Sequence, residues 1–186
     1  MPEATTHGST LYDRCARIEL LVLDVDGVLT DGSIIYGDGT VELKAFFVRD
    51  GVGLRLWQQA GKRTALLTGR TSPIVERRAA ELGMQAVFQG LAGKGAAFRQ
   101  ALAAAALKPE QACAVGDDLP DLPVLVTCGL AVAVADACPE VKGAAHYVTR
   151  APGGRGAVRE TVELILASQG RWLQTMEQFR RVGAGG

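Results

Sequence analysis

LLVLDVDGVLT, residues 20–30, is the stretch of sequence that decides the fold. The apolar run Leu20 to Val25 carries Asp24 near its end, and Asp26 follows two positions later. A short apolar run that ends in carboxylates is typical of a buried parallel strand. Two carboxylates at such a strand end lower stability unless something binds them. A lone Asp-x-Asp is equally consistent with a polar turn, so other parts of the chain must decide between the two interpretations.

Similar apolar runs recur along the chain and predict further buried strands at residues 64–67, 112–115 and 131–134. Three helical patterns lie between the strands, at residues 52–60, 73–82 and 94–107. Ser72 and Pro73 supply an N-cap and a first-turn proline for the second helix. Strands that alternate with helices of this length predict an α/β fold, a doubly wound Rossmann-like parallel sheet that binds ligands at the carboxyl ends of its strands.

One segment breaks this alternation. Residues 33–47 are rich in Ile, Tyr, Val and Phe around Gly37-Asp38-Gly39, which predicts a β-hairpin that forms a small flap. The length of 186 residues suits a single domain. Within it we predict an N-terminal extension, a core and a C-terminal tail with a short helix, at residues 1–18, 19–169 and 170–186.

The composition excludes several classes of partner. The 20 basic and 20 acidic side chains cancel, and no run of Lys or Arg suits a nucleic acid or a membrane surface. The four cysteines lack CxxC spacing and are interpreted as core thiols rather than metal ligands. The first ten residues are polar, and the apolar stretches near them are too short for a signal peptide or a membrane span. We expect a cytoplasmic protein that acts on a small molecule.

A second acidic strand end follows the run at residues 112–115. Asp117, Asp118 and Asp121 come directly after it. Because the carboxyl ends of parallel strands meet at one edge of the sheet, these acids are expected to approach Asp24. Oxygen ligands with room for water favour Mg²⁺, and the sequence offers no His/Cys set for zinc.

Two further features at the same edge suit a phosphate group. Thr68-Gly69-Arg70 ends another strand with a hydroxyl and a guanidinium that can bind phosphate or carboxylate. Lys94 opens a helix, where its charge can neutralise phosphate. Each feature alone is weak, since the first is also an ordinary turn and the second an ordinary solvated lysine. The order and spacing of all four features together make the phosphate interpretation much stronger.

In this order the four motifs resemble those of the haloacid dehalogenase superfamily. The resemblance implies that Asp24 is the nucleophile, that Asp26 is the general acid and base, and that Thr68 and Lys94 hold phosphate oxygens. It also implies Mg²⁺ bound by Asp24, Asp117 and the backbone carbonyl of Asp26. The acid two positions after the nucleophile is typical of the phosphatases of this superfamily rather than of its dehalogenases.

Longer strings narrow the resemblance. From Leu20 to about Trp172 the chain is similar to 3-deoxy-D-manno-octulosonate 8-phosphate phosphatases in DVDGVLTDG, VRDG, TGR with SPIVERRAAELG, GDDLPDLPVL, VAVADACPEV and YVTRAPGGRGAVRE. That family implies a Mg²⁺-dependent homotetramer without a cap domain that acts in the synthesis of a lipopolysaccharide sugar. It implies that the sugar acid phosphate contacts Asp26, Phe47, Val48, Arg49, Asp50, Gly51, Arg55, Arg70, Arg78 and Lys94.

The residues themselves leave some of these roles open. An octulosonate phosphate carries a carboxylate besides its phosphate, so its site needs additional cations such as Arg70 and Arg78. The spacing of Arg78 fits equally well an exposed partner of a nearby glutamate, and Arg55 fits a solvated helix face. The loop at residues 151–156 is either an anion cradle or a flexible start of the last helix.

The spacing of the motifs leaves no room for a cap domain. The interval from Asp24 to Thr68 holds little beyond the hairpin and one helix, and that from Thr68 to Lys94 holds one helix and one strand. Phosphoryl transfer gains from a site that excludes water. We therefore expect a neighbouring subunit to close the site, and the resemblance implies that a tail carrying Arg180 and Arg181 can reach it.

Three rival functions are compatible with parts of the sequence. A phosphatase for a nine-carbon nonulosonate 9-phosphate would share the motifs and differ in pocket size. A non-catalytic oligomerisation module is disfavoured because every motif position is present. A receiver domain with a phosphorylated aspartate shares the acidic sheet edge, but it gains nothing from an acid at Asp26.

Overall fold

The computed structural model describes residues 9–182, which form eight strands and eight α-helices. The strands are β1 (Leu20–Leu23), β2 (Ile35–Tyr36), β3 (Glu42–Leu43), β4 (Arg63–Leu67), β5 (Ala86–Phe88), β6 (Ala112–Gly116), β7 (Leu130–Ala133) and β8 (Tyr147–Val148). The helices are α1 (Leu11–Ala16), α2 (Val48–Gln59), α3 (Pro73–Glu81), α4 (Lys94–Ala105), α5 (Leu122–Leu125), α6 (Pro139–Ala144), α7 (Ala157–Ser168) and α8 (Trp172–Val182).

Six strands form one parallel sheet in the order β5-β4-β1-β6-β7-β8. In this sheet β1 is central, and all four of its residues are buried, as expected for an apolar strand covered on both faces. Helices α2, α7 and α1 pack together on one face, and α4, α5 and α6 on the other. The chain leaves β1 and β6 toward opposite faces, so the topological switch point lies between these two strands.

The doubly wound parallel sheet predicted from the sequence is confirmed. The predicted strands lie within one or two residues of β1, β4, β6 and β7, and β5 occupies the interval where one further strand was expected. The edge strand β8 was not predicted, because two residues are too few for a period to emerge. Helix α2 begins four residues before its predicted start at Val52, since the VRDG segment forms its first turn.

The predicted hairpin is also confirmed. β2 and β3 pair antiparallel, with Ile35 opposite Leu43, and form a sheet of their own. The buried side chains of Cys15, Cys113 and Cys128 agree with their interpretation as core thiols. Within residues 9–182 no helix combines the length and the apolar character needed to cross a membrane.

The two predicted end segments pack on the core where the structure describes them. In the predicted extension, α1 begins at the N-cap Thr10 and contacts α7, and Ile18 beyond it is fully buried. In the predicted tail, α8 contacts α7, and Arg159 stacks over the Trp172 ring at 5.3 Å. Residues 1–8 and 183–186, and the side chain of Arg181, lie outside the described part of the chain.

Candidate active site

Three carboxylates meet at the switch point of the sheet. Asp24 follows β1, and Asp117 and Asp121 follow the neighbouring β6. One carboxylate oxygen from each residue lies within 4.8 Å of the others. Asp121 accepts a hydrogen bond from the backbone amide of Asp117 at 3.0 Å, which fixes the turn after β6. The two acidic strand ends predicted to approach one another therefore do so.

Lys94 supplies a positive charge at the centre of this cluster. It is the first residue of α4, and only 4% of it is exposed. Its Nζ lies 2.7 Å from Oδ1 of Asp24 and donates to Oδ1 of Asp121 at 2.6 Å. Burial disfavours the ammonium, but the two carboxylates outweigh this effect and raise the pKa of Lys94 above its usual value. Lys94 is thus a fixed cation rather than a solvated side chain.

Three carboxylates share one lysine in this cluster, and burial disfavours the ionised forms of Asp24 and Asp117. Burial raises the pKa of Asp24 to about 6, although Lys94 opposes this shift, and Asp121 adds to it by repulsion. Burial and repulsion from Asp24 and Asp121 raise the pKa of Asp117 to about 7. An all-oxygen set with unbalanced negative charge suits a hard divalent cation such as Mg²⁺. Among residues 9–182 this is the one set of acidic, His or Cys side chains close enough together to bind a metal.

Glycines allow the loop after β1 to fit against its neighbours. Gly27 has φ +95°, and a Cβ there would lie 2.1 Å from Oδ2 of Asp117. Thr30 is buried, and its hydroxyl accepts from the amides of Gly27 and Gly32 at 3.4 and 3.2 Å. A Cβ on Gly153 would lie 1.8 Å from the carbonyl oxygen of Gly27. The glycines of the loop at residues 151–156 therefore permit close packing against the Asp24–Thr30 segment.

Asp26 lies in a second charged group next to the hairpin. Its Oδ1 accepts a hydrogen bond from Nζ of Lys44, and its Oδ2 lies 3.9 Å from Nε of Arg70. Arg70 also donates to Glu42 at 3.2 Å, and the other oxygen of Glu42 accepts from the Ser72 hydroxyl at 2.7 Å. The hairpin is therefore attached to the segment after β4 by charged and polar contacts.

Thr68 and Arg78 are each held by neighbouring groups, on separate elements. Thr68 is buried directly after β4, and its hydroxyl accepts from the amide of Arg70 at 3.3 Å. Arg78 on α3 donates to Glu81 at 3.3 Å, the helical pair that its spacing allowed. Its guanidinium also packs over the Phe46 ring at 5.6 Å and against Gly51, where a Cβ would lie 2.6 Å from Nη2. Arg78 is thus held in place by three neighbours.

The other predicted contacts of the sugar acid belong to α2 and its N-cap Phe47. Phe47 and Arg49 line an open groove of about 500 Å³. Three arginines from the loop before α7 and from α7 itself also line it: Arg150, Arg155 and Arg159. Asp50 is 1% exposed, and its carboxylate accepts from the amides of Gly156 and Arg159 at 3.1 and 2.9 Å. It therefore caps the start of α7 and is not open to a ligand. Val48 and Arg55 are exposed on α2.

Sequence reasoning missed three residues of the site: Glu42, Lys44 and Phe46. A signal for the first two exists, because Val41, Glu42, Leu43 and Lys44 alternate between apolar and charged with the period of a strand. The usual expectation is that the apolar side faces inward, but here Val41 and Leu43 are half exposed and the Lys44 side chain is fully buried. The alternation therefore predicts two faces without showing which one meets the site.

Comparison with known proteins shows what this chain is similar to. A haloacid dehalogenase-like hydrolase model matches residues 81–158. The 3-deoxy-D-manno-octulosonate 8-phosphate phosphatase of Escherichia coli K12 is 48% identical over 171 residues, which cover 90% of this chain and 91% of the relative. The crystal structure of the Yersinia pestis phosphatase of the same name has a TM-score of 0.86 at 48% identity, with 87% and 88% of the two chains covered. That of the Moraxella catarrhalis phosphatase, in complex with magnesium, phosphate and a KDO molecule, has a TM-score of 0.88 at 39% identity, with 90% and 97% covered.

The close packing of Gly153 can be tested by adding one methyl group. We expect Gly153→Ala to lower the free energy of unfolding by about 1–3 kcal/mol, because the new Cβ overlaps the Gly27 carbonyl. The matched control is Gly143→Ala in α6, where a Cβ meets nothing within 4 Å. The control should be neutral or more stable by up to about 1 kcal/mol. Urea unfolding measures both variants, and equal stability of Gly153→Ala and the unsubstituted protein would contradict the packing argument.

The raised pKa values predict how the metal-free protein responds to pH. In the unfolded chain Asp24 and Asp117 titrate near 3.8, whereas in the fold their pKa values are about 6 and about 7. Their protonated forms therefore favour the fold below pH 3.8, and this contribution is lost as the pH rises through 6 to 7. Each unit of pKa difference corresponds to about 1.4 kcal/mol.

The measurement is urea unfolding in EDTA between about pH 4 and 7.5. We expect Asp117→Asn to lose less stability over this range than the unsubstituted protein, because the substitution removes one titrating group and the repulsion it exerts on Asp24. Identical pH profiles for the two proteins would show that the cluster does not titrate in this way.

Proposed function

The chain belongs to the 3-deoxy-D-manno-octulosonate 8-phosphate phosphatase family, and we propose that it hydrolyses 3-deoxy-D-manno-octulosonate 8-phosphate to the free sugar acid and phosphate. The observation that carries this proposal is the buried cluster at the switch point, in which Lys94 lies within 2.7 Å of Asp24 and 2.6 Å of Asp121. A fixed cation beside an aspartate that is ionised at neutral pH is what attack on a phosphate ester requires.

Asp24 is the nucleophile of the proposed reaction. Its carboxylate attacks phosphorus, the ester bond to the sugar oxygen breaks, and a phospho-aspartate forms. With a pKa of about 6, Asp24 is mostly ionised at neutral pH even without a metal. Lys94 and the hydroxyl of Thr68 bind the phosphoryl oxygens and offset their charge in the transition state. Asp121 keeps Lys94 charged and in place.

Asp26 moves the proton in both halves of the reaction. It donates a proton to the departing sugar oxygen and then accepts one from the water that hydrolyses the phospho-aspartate. The two half-reactions therefore return Asp26 to its starting state. Its Oδ2 suits this role, since this atom is buried and has no hydrogen-bond partner among the described residues.

The oxygen donors of the cluster fit Mg²⁺. Asp24, Asp117 and the backbone carbonyl of Asp26 would hold the ion, while Asp121 is already engaged by Lys94 and the amide of Asp117. When bound, Mg²⁺ offsets the negative charge that accumulates on the phosphoryl oxygens.

Arginine side chains can bind the carboxylate of the sugar acid. Arg70 and Arg78 are the two candidates, because each presents a guanidinium with a buried Nε that has no partner among the described residues. The predicted contacts in Phe47–Gly51 and Arg55 belong to α2 and its N-cap, and among them Asp50 is already engaged by the start of α7. We propose that a second copy of the chain brings such residues to the site, since the chain lacks a cap domain.

The hairpin provides a surface for that second copy. Its large apolar side chains are exposed: Ile34 by 40%, Ile35 by 49%, Tyr36 by 70%, Val41 by 50% and Leu43 by 53%. A contiguous exposed apolar patch of this kind is typical of an interface between subunits. We propose a homo-oligomer, a tetramer by resemblance to the family, assembled through the hairpin. We also propose the cytoplasm as its location, since the four cysteines are free thiols.

The substrate proposal is tested by phosphate release from purified protein with Mg²⁺. We expect kcat/KM for the octulosonate 8-phosphate to exceed that for hexose phosphates by about 100-fold or more, because Arg70 and Arg78 match a carboxylate that hexose phosphates lack. A nonulosonate 9-phosphate is the third substrate. A preference for it would keep the mechanism and change the substrate, and no release from any of the three would favour a non-catalytic module.

Two controls accompany this assay. Asp24→Asn preserves the size of the side chain and removes the nucleophile, so it should release no phosphate while the fold and assembly remain intact. EDTA should stop the unsubstituted protein, and added Mg²⁺ should restore it. Sustained turnover by Asp24→Asn, or in EDTA, would refute the mechanism proposed here.

The assembly proposal is tested by light scattering on the purified protein. We expect Ile35→Glu with Leu43→Glu to reduce the molecular mass to that of a monomer, because assembly through this exposed apolar surface would then bury two carboxylates. The matched control is Val126→Glu, which adds a charge at an apolar residue that is 71% exposed outside the hairpin. An unchanged mass for the double variant would contradict the hairpin interface.

A further inference from the structure

The hairpin points its charges toward the active site and its apolar side chains toward solvent. Lys44 is the extreme case, because its side chain is fully buried. Val41 and Leu43, its neighbours with the opposite orientation, are exposed by 50% and 53%. A buried ammonium is unfavourable unless carboxylates surround it, so a lysine in this position needs a specific partner.

Two carboxylates accompany Lys44. Its Nζ donates to Oδ1 of Asp26 and lies 3.8 Å from Oε1 of Glu42. Glu42 is itself fixed by Arg70 at 3.2 Å and by Ser72 at 2.7 Å. Lys44 is therefore held on the hairpin side and presents its charge to Asp26.

The two carboxyl oxygens of Asp26 differ in their hydrogen bonds. Lys44 binds Oδ1, whereas Oδ2 has no hydrogen-bond partner among the described residues. Nε of Arg70 lies 3.9 Å from Oδ2, beyond hydrogen-bond distance, and is likewise buried without a partner. Two unsatisfied buried polar atoms this close together form a place where an oxygen of a ligand can bind.

We propose that Lys44 is a positioning residue for Asp26 and that it leaves Oδ2 as the atom that exchanges protons. This inference rests on the proposed function, in which Asp26 acts first as the acid and then as the base. Lys44 holds Oδ1 and so orients the carboxyl group, which carries its proton on Oδ2 before the ester bond breaks. Oδ2 then gives its proton to the sugar oxygen as the ester bond breaks, and takes a proton from the attacking water.

The test compares Lys44→Met with the unsubstituted protein on p-nitrophenyl phosphate. Nitrophenolate leaves without help from an acid, so the first turnover should remain within about threefold of normal. The second step still needs Asp26 to activate water, and steady-state turnover should fall by roughly 10- to 100-fold. The expected signature is a burst of one nitrophenolate per active site. If Lys44→Met loses the burst as well as steady-state turnover, the defect is a general structural one and the proposal is overturned.

A double-mutant cycle separates action through Asp26 from direct action on the substrate. If Lys44 acts through Asp26, then adding Lys44→Met to Asp26→Ala should change turnover by less than about threefold. Independent, multiplicative effects would overturn the proposal. Lys44→Arg keeps the charge and should recover part of the turnover, whereas Lys108→Met, at an exposed lysine far along the chain, should have no effect.

Further measurements separate failure of the Lys44 proposal from misfolding of the variant and from failure of the substrate proposal. Circular dichroism and light scattering report whether Lys44→Met folds and assembles, and Lys44→Gln takes its place if it does not. If the unsubstituted protein hydrolyses the aryl ester but not the octulosonate phosphate, the substrate proposal fails and the test of Lys44 still applies. If it hydrolyses neither ester, both proposals fail.

Discussion

The arrangement of the site depends on keeping several buried carboxylates together at one edge of the sheet. Asp24, Asp117 and Asp121 approach within 4.8 Å, and one lysine lies among them. Lys94 is the first residue of α4, so the position of that helix determines where the compensating charge lies. Burial, together with repulsion between the carboxylates, raises the pKa values of Asp24 and Asp117. Three carboxylates with one lysine leave an excess of negative charge that suits a divalent cation.

A second group of charged side chains connects the hairpin to this edge. Lys44 and Glu42 face Asp26 and Arg70, and their apolar neighbours on the strand face solvent. An isolated two-stranded hairpin has little stability in water, so these charged contacts fix its orientation on the body. The same orientation exposes an apolar surface that a second copy of the chain can cover. The orientation of the hairpin therefore contributes both to the proposed position of Asp26 and to the proposed assembly.

Glycines act here by permitting close approach rather than by giving flexibility. Gly27 admits the carboxylate of Asp117, Gly51 admits the guanidinium of Arg78, and Gly153 admits the carbonyl of Gly27. In each case a methyl group would lie within 2.6 Å of a neighbouring atom. The two sequence interpretations of the loop at residues 151–156, an anion cradle or a flexible start of a helix, both miss this packing role.

The sequence by itself determined the sheet, the order of its motifs and the meeting of Asp24 with Asp117, because these follow from apolar runs whose carboxyl ends share an edge. Tertiary structure alone decided that Lys44 faces inward and that Asp50 caps α7 from another helix. The physical reason is that a sequence period identifies two faces of a strand, or the acids on a helix, but not the element that packs against each. Contacts between Lys44 and Asp26, 18 positions apart, or between Asp50 and Arg159, 109 positions apart, depend on that packing.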